Sequence, residues 1–467
     1  MIKSDKEGRL RIGRAVLLFR VLRMRPVLSS LRRLLPVAVF ALLLGLAAEP
    51  ARAANEAPAT AVAHVRGLVA QGRYDEARGF IREWRSGGKG YKVRVLFVEG
   101  LIAARAGDHA RAVEIYRTIL AAEPTNDVVR IELARSFAFL NDAGGVRAQA
   151  EMLRASGIDD RLGGAITRLA DLVDANRPLR FRGYASILPS TNVNRGTDNE
   201  TVPLGPLDLK IDPASRRKSG IGLLLGGEVI YQQQFSPTRR LIAVGSAVGR
   251  IYPGETSLSS FNFEGAVGVE QTFGRTRASI ALTGVAGTST EQVNVLQGGI
   301  RGELSGRFER APRWLWSLNG QIRAQDDLKY GSRDGVIVNF GGKVDRYFAT
   351  GHFMRLGVRG EATRFRVDRF SYDEIGFFAG YAWPLPLGVN VYAQAGVAFR
   401  DYDGFYPGLT EGQDDTRYTG DVVLTKRDLS FVGFAPQLLY HYERVVSNAA
   451  FDDIEKHEIE MRLTREF

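Results

Sequence analysis

Apolar and polar residues alternate along long segments in the C-terminal part of the chain. Within 313–325, for instance, Trp316 and Leu318 share one parity, and Asn319 and Arg323 share the other. Alternation with a period of two is what a β-strand with two different faces produces. The alternating segments run for roughly 10–15 residues, whereas strands of soluble proteins average about 5–6. Because a strand that crosses a membrane needs about 9–11 tilted residues, the pattern predicts a transmembrane β-barrel.

The alternation predicts about fourteen antiparallel strands, an even number as in single-chain bacterial barrels. They span 179–189, 218–233, 239–251, 260–273, 276–288, 295–309, 313–325, 334–348, 353–366, 372–383, 389–401, 416–427, 433–446 and 453–467. An even count places both ends of the barrel on one side, which we expect to be the periplasm. Short turns predicted at that side are 236–239, 273–276, 311–313, 349–352 and 383–388. The longer connections, 190–217 and 402–415, are predicted to be extracellular. We therefore expect a barrel domain over 177–467.

The polar parity of these segments carries charges of both signs. A closed barrel is the only sheet that can span a bilayer, because lipid cannot satisfy free backbone groups, so this parity is expected to line the lumen. Candidate lumen residues for contact with a transported client are Arg301, Glu303, Arg323, Arg355, Arg359, Glu361 and Arg400. Mixed signs predict a cross-strand charge network on the wall rather than an ion-selective ring.

The last predicted strand has apolar residues at alternate positions and ends on an aromatic residue. The set comprises Ile459, Met461, Leu463 and Phe467, and Glu458, Glu460 and Arg462 hold the other parity. This arrangement resembles the recognition signal of the barrel-assembly machinery. We therefore expect that machinery and outer-membrane lipid as partners.

A helical pattern precedes the barrel, over 54–176. The sequence GRYDEARGFI at 72–81 is similar to GDHARAVEIY at 107–116, an offset of 35 residues, and a third unit, NDAGGVRAQA, begins at Asn141. This period resembles that of tetratricopeptide repeats, whose stacked helix pairs usually offer a concave face to a peptide or protein. A plain helical bundle without a binding role is the alternative.

Packing explains the residues that recur in the repeat. Ala112 and Tyr116 are i, i+4 neighbours on one helix face, where the small alanine allows close approach of the preceding helix. Pro124 is expected to end the second helix. Candidate groove residues are Arg94, Asn126 and Arg130.

The N-terminal residues 1–53 have the features of a secretory signal peptide. Arg32 and Arg33 precede an apolar run at 34–46, which the small residues Ala51, Ala53 and Ala54 follow around a cleavage pattern. The basic flank is unusually long, so we expect Met24 to be the true start. A membrane anchor that is not cleaved is the alternative.

Composition narrows the function. The net charge is +11, but residues 1–53 hold eleven Lys/Arg and three Asp/Glu, which leaves only +3 for the rest, so nucleic acid is not an expected partner. The chain has no cysteine and five histidines, none in a metal-binding spacing. We therefore predict no catalytic residue, no metal site and no cofactor, and a chain that is not an enzyme.

Local motifs resemble those of the surface lipoprotein assembly modulator (Slam) family. They are ILPSTNVNRGT at 187–197, WPLPLGVNVYAQAGVAFRDYD at 383–403 and RDLSFVGFAPQLLYHYERVVSNAAFDD at 427–453. The family's Arg-x-Asp before the last motif is only partly met, by Arg417 and Asp421. The resemblance implies a monomeric outer-membrane translocator with periplasmic repeats. Its clients would be surface lipoproteins or small secreted binding proteins, typically for capture of iron or haem.

Two other functions share this architecture in part. A passive outer-membrane porin has the barrel but no need of a helical repeat domain, and fold alone does not fix function. An exopolysaccharide exporter joins helical repeats to a barrel, and it would be favoured by aromatic tracks in the lumen. The polar parity is rich in charges and amides, and we expect few aromatic residues on it.

Overall fold

The structure, a computed structural model, describes residues 59–83, 89–156, 160–176, 178–204, 207–289, 293–311, 313–385, 389–405, 409, 412–426 and 435–466. The predicted signal peptide over 1–53, with Met24, Ala51, Ala53 and Ala54, lies outside the described residues, as does Phe467.

Seven α-helices form the N-terminal part of the described chain. They are α1 (Ala59–Ala70), α2 (Tyr74–Glu83), α3 (Lys89–Arg105), α4 (His109–Ala122), α5 (Asp127–Phe139), α6 (Ala143–Ala155) and α7 (Asp160–Asn176). Helix α4 ends just before Pro124, as predicted. None of these helices is long and apolar enough to cross a membrane.

The same turn joins the two helices of each successive pair. Gly72, Gly107 and Asn141 have φ of 76°, 84° and 58°, and they follow one another at offsets of 35 and 34 residues. At the second turn, the N–H groups of Gly107 and Asp108 donate to the carbonyls of Ala104 and Ala103. This left-handed residue satisfies carbonyls at the helix end that would otherwise lack partners. The sequence repeat is thus a structural repeat of helix pairs, and the tetratricopeptide assignment stays a prediction.

Equivalent positions of the repeat fill the helical core. Ala77, Ala112 and Val146 are 0% exposed. Tyr116 is also fully buried, and its ring centroid lies 6.4 Å from that of Phe97 on α3. The predicted contact of the Ala112–Tyr116 face with the preceding helix is therefore confirmed.

Fourteen of the sixteen described strands close into an antiparallel barrel. The strands are β1 (Leu179–Ser190), β2 (Thr201–Leu204), β3 (Leu207–Lys210), β4 (Gly220–Ser236), β5 (Arg239–Ile251), β6 (Ser260–Phe273), β7 (Thr276–Ser289), β8 (Val293–Arg307), β9 (Trp314–Asp327), β10 (Gly335–Tyr347), β11 (Phe353–Phe365), β12 (Tyr372–Pro384), β13 (Val389–Tyr402), β14 (Asp414–Lys426), β15 (Ala435–Ser447) and β16 (Ile454–Glu466). Each barrel strand pairs with its neighbours in sequence, and β1 pairs with both β4 and β16. The predicted strand count and order are confirmed.

A small hairpin, β2–β3, lies in the connection between β1 and β4, where the sequence predicted only a loop. Its strands have four residues each, and one of them contains Pro203. Such short segments carry no readable alternation, which is why the pattern did not reveal them.

The outer face of the barrel is apolar and the inner face is polar. Ile280 and Leu282 lie two residues apart on the same face of β7. They are 62% and 68% exposed, as expected of side chains that face lipid. Aromatic residues also lie on the outer face at the strand ends next to the short turns. There, Phe235 and Phe273 are 59% and 62% exposed. These rings correspond to the aromatic girdle that marks a membrane interface.

Candidate functional site in the barrel lumen

The candidate lumen residues all lie on the inner parity of their strands. The distance from Arg301 Nη1 to Glu264 Oε1 is 3.5 Å. Glu303, two residues further along β8, is exposed. Arg355 donates two hydrogen bonds to Asp345, at 2.8 and 2.9 Å. The structure therefore gathers these charges on one wall, and their contact with a client stays a prediction.

A chain of polar contacts, here called the polar belt, crosses the inner wall from β8 to β15. It consists of Gln325, Gln297, Arg323, Asn339, Glu361, Tyr372, Arg400, Glu374, Arg417 and Glu443. Its members come from eight consecutive strands, and most of the contacts join neighbouring strands, while the Arg417–Glu374 pair joins β14 to β12. The cross-strand charge network that mixed signs predicted is present in this form.

The acidic members of the belt are each shared between two partners. Glu374 accepts from Arg400 at 2.7 Å and lies 3.5 Å from Arg417. Glu361 accepts hydrogen bonds from Asn339 and from the Tyr372 hydroxyl. Since Glu374 and Glu443 are 8% and 7% exposed, these contacts offset the cost of keeping the carboxylates out of water.

Seven aromatic residues lie on the inner parity of β10 to β13, where the sequence led us to expect few. They are Tyr347, Phe353, Phe365, Tyr372, Phe378, Tyr392 and Tyr402. The expectation was wrong because each of the four segments has only a few aromatic residues among many charged ones. Their number becomes apparent only when the strands lie side by side. Phe378 and Tyr392 lie flat over Gly357 and Gly380, where a Cβ atom would come within 2.2 Å of them. Their rings therefore fill the wall above glycine residues.

The segment 191–217, here called the plug segment, folds back against the lumen between β1 and β4. Arg195 in this segment donates to both carboxylate oxygens of Glu443, at 2.7 and 2.9 Å. Asn192 is fully buried, and its Nδ2 donates to the carbonyls of Gly196 and Glu455. The described residues of this segment are thus joined to the polar belt and to β16.

The turn between β15 and β16 holds the plug segment from the other side. The carbonyl of Ala450 accepts from Thr197 Oγ1 at 2.8 Å and from Asn199 Nδ2 at 2.7 Å. In the same turn, Asp452 accepts from Gln413 Nε2 at 2.7 Å. Burial raises the pKa of Asp452, and nearby Asp415 acts in the same direction, whereas the hydrogen bond from Gln413 opposes the change.

Asp452→Asn is expected to make the plug segment more stable at neutral pH. A carboxyl with a raised folded-state pKa favours the folded state increasingly as pH falls through that pKa, and the gain is complete below the ordinary value. In the parent protein, ion conductance across a bilayer should therefore fall as the pH is lowered from neutral toward the ordinary pKa of an aspartic acid, whereas the variant should show low conductance throughout. Equal pH dependence in both proteins would contradict this.

The helical region contacts the end of the barrel that carries the short turns. Glu151 on α6 forms ion pairs with Arg154 and, across the two regions, with Arg307 at the end of β8. Asp171 on α7 lies 3.9 Å from Arg277 at the start of β7. These contacts place α6 and α7 over the mouth of the barrel opposite the plug segment.

Two of the three candidate groove residues are engaged within the chain. Asn126 caps α5 by accepting from the Val129 N–H at 3.1 Å. Arg130 is 3% exposed and donates to the carbonyl of Ala349 in the turn after β10 at 3.0 Å. Burial lowers the pKa of Arg130 to about 10, so it stays charged at neutral pH. Arg94 lies half-buried on α3. Contact of Arg94, Asn126 and Arg130 with a client stays a prediction.

The last strand closes the barrel against the first, with the predicted parity. Ile459, Met461 and Leu463 are 42%, 49% and 51% exposed on the outer face. Ser186 Oγ on β1 donates to the carbonyl of Met461 at 3.0 Å. The role of this strand as an assembly signal stays a prediction.

Among the residues that the structure describes, no group of three or more His, Asp or Glu side chains is arranged to hold a metal ion. His441 Nδ1 lies 2.6 Å from Asp421 Oδ1, so this histidine is one partner of a lumen pair.

Sequence reasoning missed Arg195, Glu374 and Glu443 as site residues. The parity of β12 and β15 would have placed both glutamates in the lumen. No local pattern could have indicated Arg195, because it lies in a connection and meets its partner 248 residues further along the chain.

Known proteins with similar sequences point to one family. The family profile described as surface lipoprotein assembly modifier matches residues 180–467. The chain is 28% identical to surface lipoprotein assembly modifier 2 of Neisseria meningitidis serogroup B over 169 residues, 34% of each chain. It is 20% identical to modifier 1 of the same organism over 382 residues, 80% of this chain and 76% of the relative. The matched part thus spans about a third of the first relative.

Among solved structures, two outer-membrane proteins match part of this chain. The channel DcaP of Acinetobacter baumannii has a TM-score of 0.38 and 8% identity, over 62% of this chain and 96% of the channel. OmpF of Salmonella typhi, solved with daunomycin, has a TM-score of 0.38 and 7% identity, over 62% and 97%.

Proposed function

Because this chain belongs to the surface lipoprotein assembly modifier family and is an outer-membrane β-barrel, we propose that it translocates client proteins to the cell surface. The clients would be surface lipoproteins or small secreted binding proteins that serve iron or haem acquisition. The observation that carries the proposal is the family match over 180–467, which spans every strand of the barrel.

Contacts at both ends of the barrel support a gated passage rather than an open pore. The plug segment is held at one end by Arg195, and the helical region contacts the other end through Glu151. A passive porin needs neither contact. A translocator that opens only for its client needs both ends controlled, since an open barrel would leak solutes between client molecules.

The helical region is proposed to receive the client in the periplasm before it enters the barrel. Helix α7 leads directly into β1, so the helices and the short turns share one end of the barrel. This is the periplasmic side in bacterial barrels with both termini inside. Assembly of the chain itself would use the barrel-assembly machinery, and no chemical step is proposed for the lumen, so the chain would act without enzymatic activity.

Reconstitution in a heterologous bacterium tests the proposal. The chain is produced together with an epitope-tagged candidate lipoprotein, and exposure of the tag on intact cells is measured by antibody binding and by removal with added protease. We expect a surface signal only when the chain is present. A strain that produces an unrelated porin of similar size at the same level is the control for membrane damage.

Two results would overturn the proposal. One is a surface signal that persists in the native host after deletion of the gene for this chain. The other is steady conductance of the purified barrel in a planar bilayer together with no display of any tested client, which is the behaviour expected of a porin.

A further inference from the structure

A cavity of about 390 Å³ opens on the inner wall next to the polar belt. The charged residues around it are Lys343, Arg359, Arg400, Arg417, Glu361 and Glu374. The cavity is thus lined by four cationic and two anionic side chains, which leaves an excess of two positive charges. Phe378 and the backbone of Gly341 complete much of its wall, and the volume is within the range of small-molecule sites.

The carboxylates of this wall are already committed to other groups. Glu374 is shared by Arg400 and Arg417, and Glu361 accepts from Asn339 and Tyr372. Asp345, two positions from Lys343 on the same face of β10, is held by both nitrogen donors of Arg355. The wall therefore offers the two remaining cations no free acidic partner of its own.

Lys343 and Arg359 are the two cations that remain. Among the residues that the structure describes, neither forms a hydrogen bond, an ion pair or a cation–π contact. Arg359 pairs in register with Gly341, and Lys343 lies two residues further along the same strand, so the two side chains are diagonal neighbours on adjacent strands. The Arg359 side chain lies over Gly376, where a Cβ atom would come within 3.1 Å of its Nε, so the missing side chain of that glycine makes room for the arginine.

We propose that Lys343 and Arg359 bind a small dianion, such as a phosphate or a dicarboxylate, within the lumen. Arg359 would supply paired N–H donors to one oxyanion group and Lys343 a point charge beside it, as these side chains do at oxyanion sites. The excess of two charges favours a dianion over a monoanion, and Phe378 gives an organic ligand an apolar surface. The site is independent of the proposed protein translocation.

Calorimetric titration of the purified full chain in detergent, at constant ionic strength, tests the site. The probes are inorganic phosphate, succinate and acetate. We expect saturable binding of the two dianions and at least about tenfold weaker binding of acetate, since a second charge-assisted contact is lost. The variant K343Q/R359Q should lose dianion affinity by at least about tenfold.

The matched control is R182Q/R250Q, which also removes two cations from the inner wall but far from the cavity. Arg182 and Arg250 lie on β1 and β5, 3.4 and 3.7 Å from Glu228 and Glu458. It should keep dianion affinity within about twofold, as expected of independent sites. The proposal fails if the parent binds no dianion saturably, if K343Q/R359Q binds as the parent does, or if the control loses as much affinity. Heat-modifiable mobility in electrophoresis verifies that each variant has folded.

Discussion

Arg195→Ala is expected to open the lumen by releasing the plug segment. The arginine makes two charge-assisted hydrogen bonds to Glu443, whose side chain is only 7% exposed. Breaking a buried ion pair costs about 3–5 kcal/mol, and the half-exposed Arg195 reduces this to roughly 1–3 kcal/mol. At about 1.4 kcal/mol per factor of ten, the open population should rise by roughly five- to a hundredfold.

Conductance of the purified chain in a planar bilayer measures this population, and uptake of a large hydrophilic antibiotic measures it in cells. Arg216→Ala is the matched control, because Arg216 belongs to the same segment but pairs with the exposed Glu200. We expect the control to behave as the parent. Equal, low conductance of all three proteins would show that Arg195 does not hold the plug segment in place.

Glu151→Arg is expected to separate the helical region from the barrel and to abolish client display. Glu151 is 11% exposed between Arg154 and Arg307, so the change brings three cations together. Such a juxtaposition costs several kcal/mol. The barrel itself should still assemble, because the pairing between its strands does not depend on this ion pair. Display on intact cells and protease cleavage between the helices and the barrel in isolated membranes are the measurements.

The double variant E151R/R307E distinguishes loss of docking from loss of folding. It restores a pair of opposite charges, and the carboxylate introduced at the end of β8 would also meet Arg154, so display should recover in large part. Glu76→Arg is the control for the charge change alone, because Glu76 and its partner Arg73 are both exposed. If the double variant displays no more client than E151R, this contact is not what couples the two regions.

Much of the barrel could be predicted because its rules are local. A strand with lipid on one side and a polar lumen on the other must alternate residue by residue, and the bilayer fixes its minimum length. The fourteen strands and the inner position of Arg323, Glu361 and Arg400 follow from that. In the helical region, the regular spacing of Gly72, Gly107 and Asn141 made the repeat visible in the sequence. Each turn needs a residue that tolerates a positive φ, so such a residue recurs.

The candidate site was predictable only in part. Parity put charged residues on the inner wall, but it could not order them into the polar belt or show that Lys343 and Arg359 lack a partner among the described residues there. It also could not show that Asn126 is a helix cap and that Arg130 is buried against the barrel, since both look like surface residues in sequence.

The sequence by itself determined the two-part architecture, the number of strands and the face that each strand residue occupies, because these depend on neighbours one to four positions away. Only the tertiary structure decided which residues hold the plug segment and the helical region against the barrel. Arg195 meets Glu443 across 248 residues, Arg130 meets Ala349 across 219, and Arg307 meets Glu151 across 156. Such contacts leave no periodic trace in the chain, since closure of the barrel and packing of the helices against it bring the partners together.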